Sequence, residues 1–164
     1  MDVIIREYTK EDVKAVMAIW NEAVEDGTAF LTENALTEES AAAFFEGQTY
    51  TGVAADKETG EIYGLYVLDA CNFGRSSHVV NACYAVRSDM RGQKIGKALV
   101  ADSIKTAKEK GFGSIYLNTV FRMNRAARFL FVNMGFVPLG TFFKAFRMND
   151  GTYDDIVPYF YNLD

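Results

Sequence analysis

The stretch DMRGQKIGKALV, residues 89–100, gathers Arg91, Lys94 and Lys97 around Gly92 and Gly96 in a chain of formal net charge −5. Cations interleaved with glycines at the start of a helix suit an anion, because the first-turn N–H groups have no intrahelical partner and the helix dipole is positive there. Gly92 would take positive φ or let a ligand reach the main chain, and Gly96 would let the helix pack closely. A P-loop needs four residues between its glycines and then Lys-Ser/Thr. Here three intervene, and Ala98 stands at the hydroxyl position. No G-x-G-x-x-G follows the first strand, so a Rossmann site is excluded as well. A plain turn with a solvated basic face is the alternative.

Three amides form a second candidate set: Asn81 in VVNA, Asn118 in YLNT and Asn124 in RMNR. An amide cannot act as a base near neutral pH, but it can orient an amine or a carboxylate. Asn81 stands mid-strand among apolar neighbours and needs a polar partner. Asn124 also reads as a helix N-cap. Arg125 and Arg128 oppose the dipole of the helix they begin, so a phosphate or a surface ion pair would account for them. His78, the one histidine, and the two cysteines Cys71 and Cys83 form no zinc pattern and no disulfide framework. Buried free thiols in a reducing cytoplasm are expected, and no metal.

These residues must be positioned by a mixed α/β chain. At 164 residues, with no repeat or linker, residues 1–164 are expected to form one domain. The acidic pI of about 5.0 argues against nucleic acid as partner, and no apolar run is long enough for a membrane. VIIREYT reads as a strand. Thr9 then starts a helix with Val13, Val16, Met17, Trp20 and Val24 on one face. Thr37 caps TEESAAAFFEG. YTGVAAD and EIYGLYVLDA flank the turn KETG as a hairpin, and SHVVNACYAV leads into the glycine stretch. A helix with Leu99, Val100, Ser103, Ile104 and Ala107 inward ends at Gly111. SIYLNTV is a strand, and the helix from Asn124 buries Ala127, Leu130, Phe131 and Met134 before Gly135. The tail is expected to be two strands around NDG. The order is β-α-α-β-β-β-α-β-α-β-β.

In that order the residues resemble the GCN5-related N-acetyltransferases (GNAT), which move an acetyl group from acetyl-CoA to amines. The family's diphosphate signature, Arg/Gln-x-x-Gly-x-Gly/Ala, is similar to Arg91, Gly92, Gln93, Lys94, Ile95 and Gly96, with Lys94 in place of a glycine. Asn124, Ala127 and Met134-Gly135-Phe136 resemble its later Asn-x-x-Ala…Leu-Gly-Phe block. Ile19–Phe30, IWNEAVEDGTAF, resembles the acceptor-side helix and loop of the phosphinothricin-acetyltransferase-like branch, and the amide trio resembles the azetidine-2-carboxylate branch.

The resemblance implies a mostly antiparallel, twisted sheet of about seven strands with four helices. It implies acetyl-CoA as cofactor, with its pantetheine arm along Tyr84, Ala85 and Val86 and its diphosphate on residues 91–97, Lys97 included. Asn118, Asn124, Arg128 and Phe131 would also face the cofactor, and Asn81, Asn118, Glu22 and Phe30 the acceptor. A bulge near Cys83 or Tyr84 would free an N–H for the oxyanion. The family's usual acid, a tyrosine seven residues beyond the motif asparagine, falls at Phe131, which has no proton to give. Tyr84, Cys83 or water remain as acids, and Asn81 and Tyr84 are the candidate catalytic residues. The implied reaction is N-acetylation of a small amine, an amino or imino acid, in a cytoplasmic enzyme that could be a homodimer. A protein amine as acceptor, or a non-catalytic acyl-CoA-binding module, are the alternatives.

Overall fold

The computed structural model describes residues 2–71 and 73–164. Strand β1 (Val3–Glu7) is followed by a 3₁₀ turn (Lys10–Asp12), α1 (Val13–Asp26) and α2 (Glu38–Glu46). The hairpin β2 (Tyr50–Asp56) and β3 (Ile62–Ala70) and then β4 (Val79–Val86) lead to α3 (Ile95–Glu109), β5 (Ser114–Leu117) and α4 (Arg125–Asn133). The tail adds β6 (Val137–Pro138), β7 (Phe142–Arg147), β8 (Tyr153–Ile156) and β9 (Tyr159–Asn162). Seven strands form one sheet in the order β1-β2-β3-β4-β5-β9-β6, antiparallel except for β4-β5, and β7-β8 form a separate hairpin. Among the described residues no helix is long and apolar enough to cross a membrane.

The tail departs from the expected two strands. Gly140, at φ 130, interrupts the first run, and Pro158, which has no N–H to donate, divides β8 from β9. Pro138 is accommodated because β6 is the sheet's edge.

Period-two alternation gives the sheet two apolar faces. Leu68, Val80, Ile115 and Tyr159 pack under α3 and α4, while Val53, Leu65 and Val67 meet Val16, Ile19 and Trp20 of α1. The helix ends follow the sequence signals: Thr37 Oγ1 accepts the Ser40 N–H, and Gly27 and Gly135 stop α1 and α4 at positive φ. The close approach of α3 to the sheet falls on Gly64 rather than Gly96. A Cβ on Gly64 would lie 2.8 Å from the Ala85 carbonyl and 3.1 Å from Leu99, whereas one on Gly96 would make only ordinary contact with Leu130 and Val86.

Candidate active site

β4 and β5 are hydrogen-bonded side by side only from Val79↔Ser114 to Asn81↔Tyr116, and then part. Beyond that point one edge of β4 has no strand partner. The Arg87 N–H donates to the Tyr63 carbonyl, so by antiparallel alternation residues 85 and 83 also bond to β3. The main-chain groups of Tyr84 and Val86 therefore face the open side. Register with β3 runs unbroken from Gly64↔Val86 to Ala70↔Val80, so the expected bulge is not there. The free N–H groups arise from the divergence of β5. From Val86 back to Asn81 this edge is about 17 Å long.

A cleft of ≈ 330 Å³ occupies the fork, walled by β4, the start of α3, residues 117–121, α4 and the α1–α2 link. At its outer end lies the glycine stretch. Gly92 takes φ 81, as a glycine can, and its Cβ position is open space. Lys94, in the family's glycine place, is itself left-handed at φ 64 and forms the N-cap of α3. No side chain caps this helix, and its first internal bond is from the Ala98 N–H to the Lys94 carbonyl. The N–H groups of Ile95, Gly96 and Lys97 are left without an intrahelical partner, with Gln93 and Lys94 beside them. Arg91 is drawn instead to Asp26, at 2.9 Å. Gly96 lines the cleft between Val86 and Leu130.

At the inner end the three amides divide. The Asn118 N–H donates to the Asn81 side-chain oxygen at 3.4 Å across the fork, and the Asn81 amide lies 3.6 Å from Cys83 Sγ. Asn124 accepts the Ala127 N–H, as its N-cap role requires, and also lines the cleft. Burial pushes the Cys83 thiol up to about 11, so it stays protonated. Both cysteines are half-buried rather than fully buried. Tyr84 lines the cleft, but its hydroxyl is bonded to Ser103 at 2.8 Å, and burial raises its pKa well above that of a free phenol. Phe131 packs against Tyr84, Phe136 and Tyr159, an aromatic wall shared by cleft and core. Phe30, stacked on Trp20 with ring centroids 4.2 Å apart, lines the cleft.

Two further expected residues, like Arg91, are held by other partners. The Glu22 carboxylate accepts the Ser88 N–H at 3.2 Å, bracing the β4–α3 connection. Arg128 donates to the Tyr159 hydroxyl and the Arg122 carbonyl. Trp20, Leu31, Thr32 and Thr119 also line the cleft. Trp20 was hidden in the apolar stripe of α1, and Thr119 had only its place beside Asn118 as a signal. Among the described residues no Asp, Glu, Lys, Arg or His lines the cleft, so it presents amides, hydroxyls, a thiol and main chain.

The Acetyltransferase (GNAT) family model matches residues 5–136. A GCN5-related N-acetyltransferase from Kribbella flavida superposes with TM-score 0.89 at 27% identity, covering 98% of this chain and 97% of that one. A ribosomal-protein-alanine N-acetyltransferase from Brucella melitensis gives 0.89 at 26%, over 97% and 99%. The phosphinothricin acetyltransferase of Sinorhizobium meliloti, solved with acetyl-CoA, shares the fold with TM-score 0.91 at 22%, over 99% and 89%. A 77-residue stretch, 47% of this chain, is 31% identical to Protein SPT10 of Saccharomyces cerevisiae but spans only 12% of that protein. The expected mixed α/β fold and enzyme class are borne out: this chain belongs to the GNAT family of acetyltransferases.

Proposed function

We propose that this chain transfers the acetyl group of acetyl-CoA to the amine of a small molecule, an amino or imino acid, by direct attack. The observation that carries the proposal is the edge of β4 left unpaired beyond Asn81, leading to the uncapped N-terminus of α3. Acetyl-CoA supplies the activated thioester and the anionic diphosphate. The N–H groups at the start of α3 bind that diphosphate, with Lys94 and Lys97 adding charge. The main chain of Tyr84 and Val86 pairs the pantetheine arm as an added strand. The Tyr84 N–H, fixed before reaction begins, receives the developing oxyanion, a contribution of roughly 10²–10³ in rate.

Asn81 and Asn118 orient the acceptor, whose attack forms the amide bond as the C–S bond breaks. With no cation or carboxylate in the lining, an acceptor carboxylate is held by amide donors and the amine proton passes to water. The thiolate, with a conjugate-acid pKa near 8.5, leaves without an acid from Phe131. A neutral cleft with no long charged groove favours a small acceptor over a protein amine. The unpaired cysteines suit a cytoplasmic setting. Phe142 and Phe143, 58% and 81% exposed, suit a homodimer that light scattering would detect.

The lining, which among the described residues contains no Asp, Glu, Lys, Arg or His, favours a second reading, a non-catalytic acyl-CoA-binding module. Release of coenzyme A thiol from acetyl-CoA across a panel of amino acids, imino acids and amines separates the two. Amine-dependent release supports the transferase. Tight acetyl-CoA binding with no release for any amine supports the module, and no binding overturns both.

A further inference from the structure

Behind the wall formed by Phe30, Leu31 and Thr32 lies a second cavity of ≈ 150 Å³, floored by Phe146 and Arg147 of β7 and by Asn149. The same three wall residues line both cavities, so a partition one segment thick divides them.

The β7–β8 hairpin holds this partition from outside. The Arg147 guanidinium is paired with the Glu33 carboxylate at 2.5 Å. The Asn149 amide donates to the Glu25 carbonyl at 3.1 Å and covers Gly27, where a Cβ would come within 2.5 Å of it. From Thr28 to Ala35, among the described residues, the Glu33–Arg147 pair is the one polar tie to another element; Thr32 bonds only within the link, and the Asn21 side chain of α1 holds the main chain of Leu36 at its end. The other strand of the hairpin grips the opposite wall. The Asp155 carbonyl accepts the Arg122 N–H, its carboxylate meets the Arg122 guanidinium at 3.0 Å, and the Val157 N–H donates to the Val120 carbonyl.

We propose that the Arg147–Glu33 ion pair positions the Phe30–Thr32 partition and thereby limits the size of the acceptor amine. The proposal rests on the transferase reading. An exposed ion pair contributes little to folding and is screened by salt, so the latch can be released with the fold intact. Once released, the partition yields toward the second cavity and admits bulkier acceptors.

The test uses Arg147→Ala and Glu33→Gln with acetyl-CoA and a graded series of straight-chain amines and α-amino acids. Trp20, the one tryptophan, is stacked on Phe30 and reports the partition by its emission and its acrylamide quenching. Both variants are expected to raise the kcat/KM ratio of bulky to small acceptors by about fivefold or more, through acceptor KM, leaving acetyl-CoA KM unchanged. Trp20 emission should shift in both. High salt should reproduce these effects in the wild type but not in the variants, and the charge swap Arg147→Glu with Glu33→Arg should restore the parent behaviour. Lys105→Ala, which breaks the exposed pair with Glu109, should change nothing. A uniform loss across the series with Trp20 unaltered overturns the latch. Should Arg147→Ala fail to fold, Glu33→Gln decides alone. Should no amine be acetylated by any form, the transferase reading falls separately, and Trp20 emission insensitive to salt and to both substitutions overturns the latch.

Discussion

The Tyr84 hydroxyl and Ser103 Oγ lie 2.8 Å apart inside the β4–α3 interface, and Ser103 in turn donates to the Val100 carbonyl. The phenol of the residue whose main chain faces the cleft is thus committed to packing. Tyr84→Phe is expected to cost about 1 kcal/mol of stability in denaturant unfolding and to leave kcat/KM within about threefold. A loss of about 10² or more would show that the phenol leaves Ser103 to act as the acid.

Phe131→Tyr places a hydroxyl where family members carry an acid. Since the ring sits among Tyr84, Phe136 and Tyr159, the added group lacks an assigned partner and should cost about 1–3 kcal/mol. Turnover at neutral pH is expected to be unchanged, because a thiolate of conjugate-acid pKa near 8.5 leaves unaided. A rise of about tenfold in kcat would show instead that its protonation limits the reaction.

The proposed anion cradle contains two left-handed residues whose substitutions separate strain from charge. Gly92→Ala adds strain of about 1–2 kcal/mol without steric contact, and Gly92→Asp adds a negative charge as well. Calorimetry should find acetyl-CoA binding weakened modestly by the first and by well over tenfold by the second, with circular dichroism unchanged. Lys94→Gly should relieve about 1 kcal/mol and raise Tm while weakening acetyl-CoA binding through the lost cation.

Acid stability should depend on Asp12. Its carboxylate receives both guanidinium nitrogens of Arg6, at 2.7 and 2.8 Å, and the Thr9 N–H. The Arg6 hydrogen bonds, more than the opposing burial, hold its pKa below the usual carboxylate value. A folded pKa below the unfolded one means that this stabilisation is complete above about pH 4 and is lost as pH falls through the folded value. Denaturant unfolding from pH 7 to pH 3 should show a falling limb that Asp12→Asn flattens, with that variant about 1–3 kcal/mol less stable at pH 7.

Local physics made much of this legible in the sequence. The apolar period along α1 and α3, the Thr37 cap, the Gly135 stop and the positive φ of Gly92 depend on near neighbours, and each appears where the residues called for it. The uncapped start of α3 could be read as an anion cradle because it lies within a few residues of its own charges. Tertiary structure alone decided which groups those side chains would meet. Glu22 meets a main-chain N–H at Ser88 and Arg128 the hydroxyl of Tyr159, groups that distant segments contribute. The site's open edge was decided in the same way: a strand's side chains set its period, but only the departure of β5 after Tyr116 leaves the Tyr84 N–H without a strand partner.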